Sequence, residues 1–129
     1  MTPLKGVGVV GLEHVNLLIP EGREDEGRAF YGDLVGLPEM SKPEGLLSTG
    51  GCWFGLGHQM LHLGTTDPFV AADKAHIAFL VADLNEAARG FGKAGVEVRP
   101  DTRVPHVRRF YVSDPFGNRL EFIQAGDAF

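Results

Sequence analysis

The chain carries one pattern twice, and that repetition constrains its fold more than any other feature. His14-Val-Asn-Leu-Leu-Ile opens the first half and His76-Ile-Ala-Phe-Leu-Val opens the second. Each opening is answered at a nearly equal spacing, by His62 within Met60-Leu61-His62-Leu63 and by Glu121 within Arg119-Leu120-Glu121-Phe122. Duplicated supersecondary units of this size each need a partner to bury their apolar faces. The same duplication sets four metal-capable side chains at equivalent places.

Hydrophobic periodicity fills in the two units. From about residue 8 to 19 the residues alternate, with Val15, Leu17 and Ile19 on one face and His14, Asn16 and Leu18 on the other, which predicts a strand. From about Glu24 to Val35, acids in the first turn, Phe30 and Leu34 four apart, and the stop at Gly36 predict an amphipathic helix. Pro38 to Gly51 is rich in Pro, Gly and Ser; short strands around Trp53-Phe54 and Met60–Leu63 follow, with turns expected at Gly55 and Gly57. The second half repeats the order. It runs from a strand at about 75 to 81 into a helix capped by Asp83 with Glu86 three residues on, with Leu84, Ala87, Phe91 and Ala94 on one stripe and Gly95 at its end. Strands are expected at about 97 to 99, 109 to 113 and 119 to 124, the last two joined by a turn over Asp114-Pro115-Phe116-Gly117-Asn118. The fold class is therefore α+β, and 129 residues at 43% hydrophobic content suit one domain over 1–129, with modules at about 8–64 and 75–124.

Charge and cysteine usage narrow the function. Seventeen acids against twelve Lys and Arg give a net charge of −5, with no basic stripe interleaved with aromatics, so nucleic acid is not an expected partner. The single Cys52 excludes an internal disulfide framework and fits a reducing cytoplasm. Glu13, His14 and Asn16 break the apolar run from Val7 to Ile19, so neither a membrane span nor a signal peptide is expected.

In each of the four strands the candidate ligand sits opposite the apolar set: His14 against Val15 and Leu17, His62 against Leu61 and Leu63, His76 against Ile77 and Phe79, Glu121 against Leu120 and Phe122. Helices must cover the apolar faces, so the ligands share the other, concave one. Three imidazoles and a carboxylate suit a divalent ion such as Zn, Ni, Fe(II) or Mn, with one or two positions left for water or substrate. A single strand histidine is more often an ordinary hydrogen-bonded residue; four at matched positions point to a site. His58 and His106 lie in turn-like contexts and read as solvated. Trp53, Phe54, Arg109 and Tyr111 are candidates for the wall of the cavity and for orienting a substrate, although Trp53 and Phe54 fit the core equally well.

His14, the stretch Phe30-Tyr31-Gly32-Asp33-Leu34-Val35-Gly36-Leu37, His76-Ile77-Ala78-Phe79 and Asp114-Pro115-Phe116-Gly117-Asn118-Arg119-Leu120-Glu121-Phe122 together resemble the vicinal oxygen chelate superfamily. That superfamily includes glyoxalase I, extradiol dioxygenases, fosfomycin resistance enzymes and bleomycin resistance proteins. The resemblance runs from about Leu12 to Gln124. It implies paired βαβββ modules forming a curved mixed sheet around a metal pocket, with helices outside, usually in a homodimer. It carries metal ligation onto His14, His76 and Glu121. The fourth position, Glu in glyoxalase I, is His62 here, which makes the site one charge less negative. Gly27 replaces the usual Ser, Thr or Ala, and no Arg suited to glutathione follows Gly36-Leu37, so glutathione recognition is not implied. Tyr111, ten residues before Glu121, matches the tail of the extradiol signature and would orient a substrate hydroxyl, but His106 lies too near it to complete that signature. The resemblance thus implies an enzyme, a metal-dependent lyase, isomerase or ring-cleaving dioxygenase. It would act on a small substrate chelated through neighbouring oxygens, with Glu121 or His62 moving protons. The alternative is a bleomycin-resistance-like protein that binds a drug without chemistry.

Overall fold

A computed structural model of the chain describes residues 6–129. It contains two four-stranded mixed sheets with the same internal order. In the first, β1 (His14–Pro20) runs parallel to β4 (Gln59–Thr66), followed by β3 (Cys52–Leu56) and β2 (Glu39–Met40), both joined by antiparallel pairing. In the second, β5 (Ile77–Val81) runs parallel to β8 (Arg119–Gln124), followed by β7 (Arg109–Ser113) and β6 (Arg99–Pro100). The duplicated α+β architecture anticipated from the repeat is what the chain adopts. Among the described residues no helix is long and apolar enough to cross a membrane.

The alternation in β1 divides the strand as expected: Leu17 and Ile19 are buried while His14, Asn16 and Leu18 are exposed. The strand begins at His14 and not near residue 8, because the preceding residues find no neighbouring strand. Val7, Val9 and Val10 lie exposed between glycines, two of which, Gly6 and Gly8, adopt positive φ. The second half differs at its strand ends in the same small way: β5 starts one residue after His76, and β6 covers Arg99–Pro100 where 97–99 was expected.

The first helix departs from the expected amphipathic α-helix over 24–35. Only Glu24–Gly27 (α1) is α-helical; Arg28–Leu34 is a π-helix, in which the Val35 amide donates to the carbonyl of Phe30, five residues back. The wider turn lets two consecutive aromatics, Phe30 and Tyr31, both enter the core. Gly27 lies tight on β4: a Cβ there would come within 2.8 Å of Leu63 Cδ1, so hydrogen lets the helix settle on the sheet. The stretch from Pro38 to Gly51 is more ordered than its composition suggests, holding β2 and a 3-10 segment at Glu44–Thr49. Gly55 is a strand residue of β3 pressed between Pro38 and Met40, so only Gly57 and His58 form the turn to β4.

The second helix, α2 (Leu84–Lys93), follows its local signals closely. The Asp83 side chain accepts a hydrogen bond from the Glu86 amide at 3.0 Å, satisfying an N-terminal donor, and Gly95 turns the chain away at φ 79°. Its buried Phe91 meets Phe110, Phe122 and, from the other half, Phe30. Each buried aromatic of this kind stabilises the fold by roughly 1.5–3 kcal/mol.

The halves are also joined by a polar latch. The Tyr31 hydroxyl donates to Asp114 Oδ2 at 2.6 Å, and Asn118 Nδ2 donates to the same oxygen at 2.9 Å. Asp114 Oδ1 accepts from the amides of Phe116 and Asn118. Asn118 further donates to the Leu18 carbonyl in β1 and accepts from the Ala72 amide in the connector. The turn Asp114–Asn118 is therefore a bolt between modules as well as a link between β7 and β8.

Candidate functional site

Strand register makes the two halves equivalent around the candidate ligands. His62 stands opposite Asn16 in β1 and Trp53 in β3, with His14 two residues before Asn16. Glu121 stands opposite Ala78 in β5 and Tyr111 in β7, with His76 two residues before Ala78. The four residues thus occupy one position type each, repeated, on the face away from the helices. Within a single chain they form two separate pairs: His14 with His62, and His76 with Glu121. Among the described residues no three His, Cys, Asp or Glu side chains come together as a metal-sized group.

The first pair is a stack. The His14 and His62 rings lie 4.0 Å apart at 16°, and Trp53 covers the far side of His62 at 3.8 Å and 1°. His62 is buried, and its Nε2 has no hydrogen-bond partner. An orphaned imidazole nitrogen in a dry position costs free energy unless something binds it. Burial, reinforced by the neighbouring His14, lowers the His62 pKa and favours the neutral ring that a metal requires. His14 is exposed, with Nδ1 2.8 Å from Glu13 Oε1. Stacked rings cannot both direct their in-plane lone pairs at one ion, so shared ligation requires His14 to turn.

The second pair is an ion-pair chain. His76 Nε2 lies 2.9 Å from Glu121 Oε1, while His76 Nδ1 lies 2.9 Å from the Lys74 carbonyl. An acceptor thus faces each ring nitrogen, and a nitrogen tied to a backbone carbonyl is the usual support of a metal-binding histidine. Glu121 Oε2 accepts from Arg109 Nη1 at 3.2 Å, and Arg109 Nη2 sits 3.0 Å from Asp101 Oδ2. Arg103, itself exposed, hydrogen-bonds Asp101 and holds that carboxyl far below the usual aspartate range, aided by Arg109. Two guanidinium groups, Arg109 and Arg103, thus face two carboxylates, Glu121 and Asp101, with Arg109 bridging the pair.

The remaining candidates divide. Tyr111 is buried on the same face, its oxygen accepting from Arg109 Nη1 at 2.7 Å and its ring beneath the Arg119 guanidinium at 4.2 Å. Trp53 is half-buried against His62. Phe54 is wholly buried beside Tyr31 and Gly32 on the helix-facing side of β3, which removes it from the substrate wall: strand alternation sends neighbours 53 and 54 to opposite faces. Asp101 and Asp114 were not anticipated, because their partners lie at unrelated distances along the chain. A cleft of about 320 Å³ is lined by Asn16 and Leu18 from β1 and by Val70, Ala75, His76 and Asn118. It opens between β1 and β5, each of which ends its own sheet.

Comparison with known proteins agrees with this fold. The family model described as "Glyoxalase/Bleomycin resistance protein/Dioxygenase superfamily" matches residues 11–122. The chain belongs to this superfamily. Among solved structures, a glyoxalase family protein from Bacillus anthracis is 47% identical, with a TM-score of 0.87 over 90% of this chain and 95% of that one. A lactoylglutathione lyase from Agrobacterium tumefaciens (23% identity, TM-score 0.70, 89% of this chain and 93% of that one) shares the superfamily fold. So does a fosfomycin resistance protein, FosX, from Listeria monocytogenes (19% identity, TM-score 0.73, 91% and 94%). No curated protein matches the chain. The two neighbours below a quarter identity speak for the fold alone.

Proposed function

We propose that the protein is a divalent-metal-dependent enzyme acting on a small substrate that chelates through two neighbouring oxygens, in lyase, isomerase or ring-cleaving dioxygenase chemistry. The observation that carries this reading is the buried Nε2 of His62, which has no hydrogen-bond partner among the described residues. His14, His62, His76 and Glu121 would hold the ion, a donor set suited to Fe, Ni, Zn or Mn. When bound, the metal would supply Lewis acidity, polarising a carbonyl or stabilising an enolate. The chain's own groups do the rest. Glu121 or His62 would accept or return a proton, Tyr111 would orient a substrate hydroxyl, and Trp53 would close one wall.

Because the ligands fall into two pairs in one chain, we further infer a homodimer in which the His14–His62 pair of one protomer faces the His76–Glu121 pair of its partner. Supporting this are the open edges of β1 and β5 and the exposed Leu18 and Leu80 upon them, since natural sheets seldom leave apolar edges uncovered.

The test is elemental analysis of untagged protein purified without chelators, with His62→Ala and Glu121→Ala as controls. Near-stoichiometric metal, lost in both variants, is expected. Fe would direct assays to catechol cleavage; Ni, Zn or Mn would direct them to lyase and isomerase substrates. No uptake even after loading would overturn the reading. The row of stacked rings His14, His62 and Trp53 favours one second reading, a platform for a planar drug bound without chemistry. Micromolar drug binding by metal-free protein, with quenching of Trp53, would establish it.

A further inference from the structure

The two halves place their candidate ligands at equivalent register positions but surround them with different side chains. Two residues before Trp53 stands Gly51, whereas two residues before Tyr111 stands Arg109. A buried guanidinium therefore stands beside the strand ligand that is a carboxylate, Glu121.

We propose that Arg109 is a positioning residue that holds Oε2 of Glu121, so that this carboxylate gives only Oε1 to the metal; the inference rests on the metal-site reading above. Arg109 and both its acidic partners are more than nine-tenths buried, with side-chain exposures of 8% for Arg109, 7% for Asp101 and 5% for Glu121. Nη2 is taken by Asp101 and Nη1 by Glu121 and Tyr111, so the guanidinium is gripped from both sides and its planar fork cannot swing toward a substrate. Only Nε is left without a partner. The two oxygens of Glu121 are thereby given different tasks: Oε2 faces Arg109, and Oε1 faces His76 Nε2.

The count of open positions follows. Three imidazole nitrogens and one carboxylate oxygen would make four donors, so an ion that accepts six would keep positions for a chelating substrate. A carboxylate binding through both oxygens would leave one. Arg109 thus decides whether a substrate with two neighbouring oxygens can chelate at all. The substrate-orienting role expected for Arg109 from the sequence is replaced by this one.

The experiment uses Co(II), whose visible absorption weakens as its coordination number rises, and acetohydroxamate, a ligand with two neighbouring oxygens. Wild-type protein is titrated first with Co(II) alone and then with acetohydroxamate. The variant is Arg109→Met combined with Asp101→Asn, which removes both buried charges together. The expected result is Co(II) affinity within about tenfold of wild type, visible absorption at least about twofold weaker, and acetohydroxamate binding at least about tenfold weaker. If the double variant fails to fold, Arg109→Lys is read in the same way, since an ammonium keeps the charge without the fork; smaller changes in the same directions are expected. Wild-type absorption and acetohydroxamate affinity in a folded, Co(II)-loaded variant would overturn the assignment of Arg109 and leave the metal site standing. Failure of wild-type protein to take up Co(II) would overturn both.

Discussion

Replacing Tyr31 by Phe removes one oxygen from the latch between the modules, and its cost can be worked from the contacts. Tyr31 is fully buried, and its hydroxyl makes a 2.6 Å bond to Asp114, a carboxylate only 5% exposed. A hydrogen bond to a charged group contributes about 1.5–3 kcal/mol, and Asn118 Nδ2 remains on the same oxygen to soften the loss, so about 2 kcal/mol is expected. Asp114→Ala strands Tyr31, two amides and the Asn118 amide group together and should cost about 4 kcal/mol. The double variant should then be little worse than Asp114→Ala alone, giving a coupling of about 1.5–2 kcal/mol. Urea unfolding at pH 7 measures all three. A Tyr31→Phe change below about 0.5 kcal/mol, or strictly additive losses, would refute the reasoning.

The same pair has an alkaline signature. Burial, then the charge of Asp114 and its hydrogen bond, raise the Tyr31 phenol well above its ordinary value of 10.0. A raised pKa means that the folded state keeps the proton longer. The contribution of Tyr31 is therefore full below pH 10 and declines above it by about 1.4 kcal/mol per pH unit as the unfolded chain ionises first. Stability measured from pH 9 upward should fall less steeply in Tyr31→Phe; parallel curves would count against the buried, protonated hydroxyl.

Further outcomes follow from single residues. Gly51→Ala places a Cβ 2.0 Å from the Leu63 carbonyl oxygen at φ +80°, a backbone clash expected to cost more than about 3 kcal/mol in urea unfolding. Leu80→Glu puts a charge on the open edge of β5, and sedimentation should show monomers that no longer hold metal tightly; an unaltered dimer would place the interface elsewhere. Zinc loading should turn His14 off His62 and change Trp53 emission at about one equivalent per site, because His62 belongs to both stacks. Unchanged emission at saturating zinc would mean that the rings do not move.

What could be read from the sequence was what local chemistry decides. The alternation of β1, the Asp83–Glu86 cap and the stop at Gly95 each need only a few neighbouring residues, and each appears in the structure. The repeat located His62 and Glu121 at equivalent register positions because both halves build the same ladder. The π-helix was not legible, since its widening serves to bury Phe30 and Tyr31 together in a core made by distant strands. Glu39–Met40 was too short and too exposed to signal a strand. Phe54 was ambiguous only while its strand register was unknown. Arg109 read as a wall or substrate-orienting residue because nothing in the sequence says that Asp101 and Glu121 close on it from two sides.

The separation of the ligands into two pairs has a genetic consequence under the proposed dimer. Each chain would lend its first half to one cavity and its second half to the other, so damage to His14 and damage to Glu121 fall in the same cavity when the two changes sit on different chains. Mixing His14→Ala chains with Glu121→Ala chains would then assemble hybrids in which one cavity carries both lesions and the other carries none. Random pairing would leave about a quarter of all cavities intact, from two parents that have none.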